Sequence, residues 1–174
     1  MALYSLVAWP PAELAAWVRS VQRTHGLAAF GAPHLSLRSP FEYHGDEARL
    51  LERCERIAAG TRAFEVTCDE VVRFPGMIFL NLRRTPELLA VHERTLACLP
   101  AAPTERDGEG FLPHVTLALG VCSWAEEDTW RAVKDLRPPV ERWTVRNVAL
   151  TRERSGDVLE LARYPLVSSE LTMC

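Results

Sequence analysis

Two of the chain's five histidines head the same short phrase. Residues 33–37 read Pro33-His34-Leu35-Ser36-Leu37, and residues 113–117 read Pro113-His114-Val115-Thr116-Leu117. Side chains on a strand alternate faces, so each histidine projects together with the hydroxyl two residues on. Leu35 and Leu37, or Val115 and Leu117, then face a core. An unperturbed imidazole titrates near pH ~6.5, so two of them across one ligand can serve as acid and base near neutrality. In-line displacement at phosphorus suits such a pair: one histidine takes the proton of the attacking oxygen and the other supplies one to the departing oxygen. Ser36 and Thr116 can donate to the two non-bridging phosphoryl oxygens, and Arg38, two residues beyond Ser36, adds a cation on the same face.

One His-x-Ser/Thr carries little, because this composition gives roughly half a match by chance. Two copies 80 residues apart, each with a preceding proline and a following leucine, carry far more. A metal site would want a third ligand nearby, and neither motif has a carboxylate or cysteine on its histidine face, so no metal and no cofactor is expected. A serine nucleophile fits less well, since Ser36 and Thr116 occupy equivalent places and suit a symmetric pair of donors. No glycine-rich phosphate loop or dinucleotide fingerprint appears. The remaining histidines read as structural: His25 in the last turn of a helix, His92 on a mainly apolar helical face, and His44 on a loop at the cleft rim or the surface. The tryptophans read mostly as core.

The elements that must carry the motifs can be read in order. Residues 3–9 form a strand stopped by Pro10-Pro11, followed by a helix with an apolar stripe of Leu14, Trp17, Val18 and Val21 that ends at Gly26. Asp46 caps a second helix with Leu50, Leu51, Cys54, Ile57 and Ala58, closed by Gly60. Phe64, Val66 and Cys68 alternate, the phase slips by one before Val71, and a bulged strand results. From Met77 the programme restarts. A strand leads to Thr85-Pro86-Glu87 as a cap, then a helix bearing Leu88, Leu89, His92, Leu96 and Leu99. A polar loop over residues 100–110 precedes the second motif. Ser123-Trp124-Ala125-Glu126 is a capping box for a fourth helix, and Trp143, Val145, Val148 and Leu150 repeat the slipped strand. Ser155-Gly156-Asp157 turns into a last strand.

Phe64 recurs as Trp143 at nearly the spacing of the histidines, so the chain is an internal duplication. The expected fold is α+β: a single domain of two pseudo-symmetric lobes, repeat units 3–74 and 77–164, with two antiparallel sheets forming a concave cleft and helices outside. Residues 165–174 read as a loose tail.

Composition narrows the partners. With 48% hydrophobic residues the chain can fill one core, and a net charge of -3 argues against a general polyanion binder. Five cysteines without a C-x-x-C pair suit a reducing cytoplasm. The apolar start lacks a basic leader and reads as a strand, and no stretch is long enough to span a membrane.

The paired His34-Leu35-Ser36-Leu37 and His114-Val115-Thr116-Leu117 resemble the H-x-T/S-x signatures of the 2H phosphoesterase superfamily. That superfamily includes the bacterial RNA 2',3'-cyclic phosphodiesterases, historically called 2'-5' RNA ligases. The likeness spans nearly the whole chain and implies a LigT-like bilobal fold. His34-Leu-Ser-Leu-Arg-Ser-Pro-Phe41 looks most like the YjcG-like branch. The resemblance implies a metal-independent phosphodiesterase opening 2',3'-cyclic phosphate ends of RNA or nucleotides. The expected protein is a cytoplasmic bacterial monomer with no obligatory protein partner. His34 and His114 would be acid and base, with Ser36 and Thr116 on the phosphate. Two departures stand out: serine at position 36 where threonine is commoner, and Ala118 where the first motif has Arg38. Phe41, Tyr43 or Phe111 could stack a base, although each suits a core equally. Two further readings stay open, a noncatalytic binder of nucleotides or RNA ends and ligation or cleavage of 2'-5' linkages.

Overall fold

The computed structural model describes residues 2–29, 31–155 and 157–168. In chain order the elements are β1 (Leu3–Ala8), α1 (Ala12–His25), β2 (Leu35–Ser36), β3 (Phe41–Glu42), α2 (Glu47–Ala59), β4 (Phe64–Phe74), β5 (Met77–Leu82) and α3 (Pro86–Cys98). They continue with β6 (His114–Leu119), α4 (Glu126–Val133), β7 (Arg142–Val145), β8 (Asn147–Arg154) and β9 (Asp157–Pro165). The helices start and stop as their end residues dictate. Asp46 accepts from the Ala48 amide at the head of α2, and the Thr85 hydroxyl accepts from the Leu88 amide at the head of α3. Gly26 leaves α1 in the left-handed conformation at φ 61°. The fourth helix departs from expectation. It opens at Glu126 without a side-chain cap, and residues 122–125 form a turn in which the Ala125 amide donates to Cys122.

The expected pair of antiparallel sheets is continuous, a nine-stranded sheet in the order β7-β4-β5-β6-β2-β1-β8-β9 with β3 beside β1. The join is the single bridge Leu35↔Val115 between β2 and β6. An 80-residue step carries Leu35 to Val115, so this pair maps onto itself and marks a pseudo-two-fold axis. The same symmetry exchanges Phe64↔Val145 with Val66↔Trp143 in the β4–β7 ribbon. Each sequence unit gives a strand to the other half: β4 of the first pairs with β5 of the second, and β8 of the second pairs with β1 of the first. The phase slip in β4 is a bulge between Cys68 and Val71. Its counterpart near Arg146 is the break between β7 and β8, where the chain leaves one half of the sheet for the other.

Leu35, Leu37, Val115 and Leu117 are fully buried on one face of the sheet, in one cluster with Leu14 and Val18 of α1, Leu50 and Ile57 of α2, and Leu88 of α3. The opposite face at β2 and β6 is therefore the one left open. The end of the chain is less loose than expected as far as it is described: Leu166 is buried, and Val167 pairs with residues 61–63. The remainder of the expected tail beyond residue 168, and Gly156 of the β8–β9 turn, lie outside the described residues. All four described cysteines are free, and no helix of the described residues is long and apolar enough to cross a membrane.

Because Leu35 is fully buried at the join, Leu35→Ala removes packing from both halves at once. It is expected to cost about 2–5 kcal/mol, read as a lowered urea midpoint at unchanged slope.

Candidate active site

The bridge between Leu35 and Val115 fixes what stands beside it. In an antiparallel pair with these residues opposite, His34 faces Thr116 and Ser36 faces His114 across the strands, about 5 Å apart at Cβ. All four lie one residue from the bridge, so they share the face opposite Leu35 and Val115. They line one cavity of about 510 Å3 together with Trp9, Phe74, Phe79, Arg106 and Phe111. The two motifs are thus crossed: each imidazole stands opposite the other motif's hydroxyl.

Each histidine is oriented by its own backbone. Nδ1 of His34 lies 2.7 Å from the carbonyl oxygen of Ala32, and Nδ1 of His114 lies 2.7 Å from that of Leu112. A carbonyl only accepts, so Nδ1 carries the hydrogen in both rings and Nε2 is left as the reactive nitrogen. Aromatic walls complete the placement. His114 stacks on Phe79 at 3.9 Å between ring centroids, and His34 meets Trp9 edge-on at 6.2 Å. Trp9 is in turn held by its indole N–H, which donates to Glu160 at 2.7 Å, and Glu160 is gripped by Arg163.

Burial lowers the pKa of both histidines below the ordinary 6.5, more than the backbone bond to Ala32 or Leu112 restores. His114 is lowered further by the charges of His34 and Arg106. Both shifts favour the neutral imidazole. A bound phosphate reverses part of that bias, since an anion within a few ångströms stabilises the imidazolium.

The remaining predicted residues part company with these four. Phe41 is 5% exposed, packs on Tyr4 and lies outside the cavity lining, while Tyr43 sits edge-on to the same Tyr4. Phe41 belongs to the core, with the Arg38 guanidinium over its ring at 4.9 Å, and Tyr43 is half-buried against that core. Phe111 does line the cavity, yet it is buried and lies flat on His92 at 3.8 Å. Arg38 reaches the cavity floor but is not a free cation. Its side chain is fully buried, Nη2 donates to the carbonyls of Ala101 and Ala102, and Asp107 lies 3.8 Å away. Burial lowers its pKa, opposed by Asp107. The alternation that put Arg38 on this face is right; the loop of residues 100–110 covers it.

Sequence reasoning missed Trp9 and Arg106. Trp9 follows the last residue of β1 and reads as core, and Arg106 sits in a loop without periodicity. Among the described residues no three His, Cys, Asp or Glu side chains converge as metal ligands.

The model of the 2'-5' RNA ligase superfamily matches residues 10–157. The chain belongs to that superfamily. Its fold is similar to those of TT0787 of Thermus thermophilus (20% identity over 97% of this chain and 100% of that one, TM-score 0.67) and a protein described as a phosphoesterase (17%, 95% and 98%, TM-score 0.68). Escherichia coli LigT complexed with 3'-AMP is similar as well (19%, 94% and 97%, TM-score 0.67). At these identities the structures speak for the fold. No curated protein sequence matches the chain.

Depressed imidazole pKa values carry a sign for stability. The unfolded chain binds protons at pH 6.5 where the folded site resists them, so this contribution is present above 6.5 and lost as pH falls through the folded values. NMR titration is expected to find both His34 and His114 half-protonated below pH 6.5, with Nδ1–H tautomers at higher pH.

Proposed function

We propose that this member of the superfamily is a phosphodiesterase that opens 2',3'-cyclic phosphate ends of RNA or nucleotides by two-histidine acid–base catalysis. The observation that carries the reading is the crossed set about the β2–β6 bridge, His34 opposite Thr116 and Ser36 opposite His114, on one wall of one cavity. A phosphoryl group seated there meets a hydroxyl donor and an imidazole from each half.

The reaction follows from the chain's own groups. One imidazole, neutral through Nε2, removes a proton from the attacking water as its oxygen approaches phosphorus. The other, protonated, gives its proton to the departing 2' or 3' oxygen as the P–O bond breaks. Water thus adds across the ester, leaving a phosphomonoester and a free hydroxyl, and the two histidines end with their protonation states exchanged. Ser36 Oγ and Thr116 Oγ1 donate to the non-bridging oxygens and hold the phosphorus in line.

Two further facts support the reading. The cavity is large enough for one nucleotide with its phosphate. Structures of the similar LigT are complexed with 3'-AMP and with phosphate, a nucleoside monophosphate and an anion of the kinds this reaction would release or hold.

The test is to incubate the protein with RNA bearing a 2',3'-cyclic end and identify the product phosphate. Turnover is expected to be unaffected by EDTA and bell-shaped in pH. His34→Ala and His114→Ala, folded as wild type, are each expected to lose about 10²–10⁴-fold in kcat. Wild-type turnover in either variant would remove the pair from the mechanism.

A further inference from the structure

The loop of residues 100–110 is more heavily fastened than a connection between α3 and β6 requires. The Asp107 carboxylate accepts from the Ser39 amide at 3.0 Å, the Thr104 amide at 2.8 Å and the Thr104 hydroxyl at 3.1 Å. These bonds, with Arg38, hold its pKa below the usual carboxylate range against the desolvation that would raise it. The Thr104 hydroxyl also reaches Ser39 Oγ at 2.9 Å. On the far side the Gly108 amide donates 2.8 Å to Nε2 of buried His92, whose Nδ1–H is spent on Leu37 O at 2.8 Å. Two glycines let the loop take this shape: Gly108 has φ 61°, and a Cβ at Gly110 would sit 2.1 Å from the Glu105 carbonyl oxygen.

Arg106 projects from the middle of this fastening. Its amide donates to Thr104 Oγ1, its side chain lines the cavity, and among the described residues its guanidinium has no hydrogen-bond or ion-pair partner. Among the described residues, the other charged side chains on the cavity wall, apart from the histidines, are Arg38 and Glu153. Arg38 is committed to the loop itself, and Glu153 is a carboxylate on the opposite half of the sheet. Among the described residues of the cavity wall, Arg106 is therefore the cation left to meet an anion, and its charge is already felt at His114.

We propose that Arg106 is a substrate-binding residue that neutralises the bound phosphate beside His114, and that Arg38, Asp107 and Thr104 are positioning residues that clamp its loop over the cavity. This rests on the reading of the cavity as a phosphate site. It also gives the cradle a cation although Ala118 stands where the second motif could have carried one.

The experiment measures binding of inorganic phosphate to the full chain by calorimetry, together with histidine titration by NMR. Arg106→Gln is expected to weaken phosphate binding roughly tenfold or more at unchanged Tm, the loss typical of one charge-assisted hydrogen bond. Arg106→Lys is expected to recover part of it. In Arg106→Gln the pKa of His114 rises toward 6.5 while that of His34 stays, a response that loss of packing would not give. Asp107→Ala, or the milder Thr104→Val where Asp107→Ala fails to fold, is expected to weaken phosphate binding by a similar factor. Combining it with Arg106→Gln should add nothing. Wild-type affinity in Arg106→Gln, or no phosphate binding by the wild-type chain, overturns the proposal, and additive losses in the double variant overturn the clamp. If Arg106 governs phosphate affinity while no cyclic phosphate is turned over, the binding role stands and the reaction reading falls. Turnover with an indifferent Arg106 does the reverse.

Discussion

Everything chemical in this protein hangs on one main-chain bridge. Leu35 and Val115 are the residues through which β2 and β6 join the two halves of the sheet, and both are fully buried. Because side chains alternate on a strand, burying this pair on one face forces the residues on either side of it onto the other. A slip of one residue would send all four functional side chains into the core and the aliphatics into the cavity. Hydrophobic burial and placement of the polar groups are thus a single constraint, and the large apolar side chains enforce it.

The same economy governs the imidazoles. Each is pinned by a carbonyl two residues back in its own chain, so its tautomer depends on local backbone and not on the partner half. The apolar walls, Phe79 for His114 and Trp9 for His34, then set the proton affinity. Burial disfavours a charged ring, and an arriving phosphate favours one. Both rings therefore lean toward the neutral form, which keeps two neighbouring imidazolium ions from repelling each other.

What could be read from the chain was what repeats with a period. The caps at Asp46 and Thr85 and the bulge after Cys68 each need only local rules, and they stand in the structure; the buried face of α3 is shifted from the expected stripe, with Val91 and Thr95 buried and Leu89 and Leu96 half-buried. Alternation told which side chains of each motif share a face; that the motifs cross, each imidazole opposite the other's hydroxyl, depends on the long-range bridge between Leu35 and Val115. Failures came where a long-range partner decided. Nothing local says that β4 and β8 trade places between halves, or that Phe41 and Tyr43 turn to Tyr4 in place of the cavity. Arg38 was placed on the correct face, yet a loop more than sixty residues away had claimed its guanidinium. Trp9 became a cavity wall because Glu160, at the other end of the chain, holds its indole.

The duplication is symmetric in its imidazole and hydroxyl pairs and asymmetric in its charges, and the asymmetry has a structural origin. In the first half the position after the motif holds Arg38, which needs carbonyls and a carboxylate to be buried at all; the loop of residues 100–110 supplies them. In the second half the equivalent position is Ala118, fully buried in a bulged stretch of β6. A buried arginine with Nε and Nη1 lacking protein partners is a costly way to anchor a loop if anchoring were its only consequence. The cost becomes intelligible when the loop's own arginine is counted. One cation buried beneath the loop fastens the segment from which a second, Arg106, reaches the cavity wall, so the two halves differ in the charge they present there.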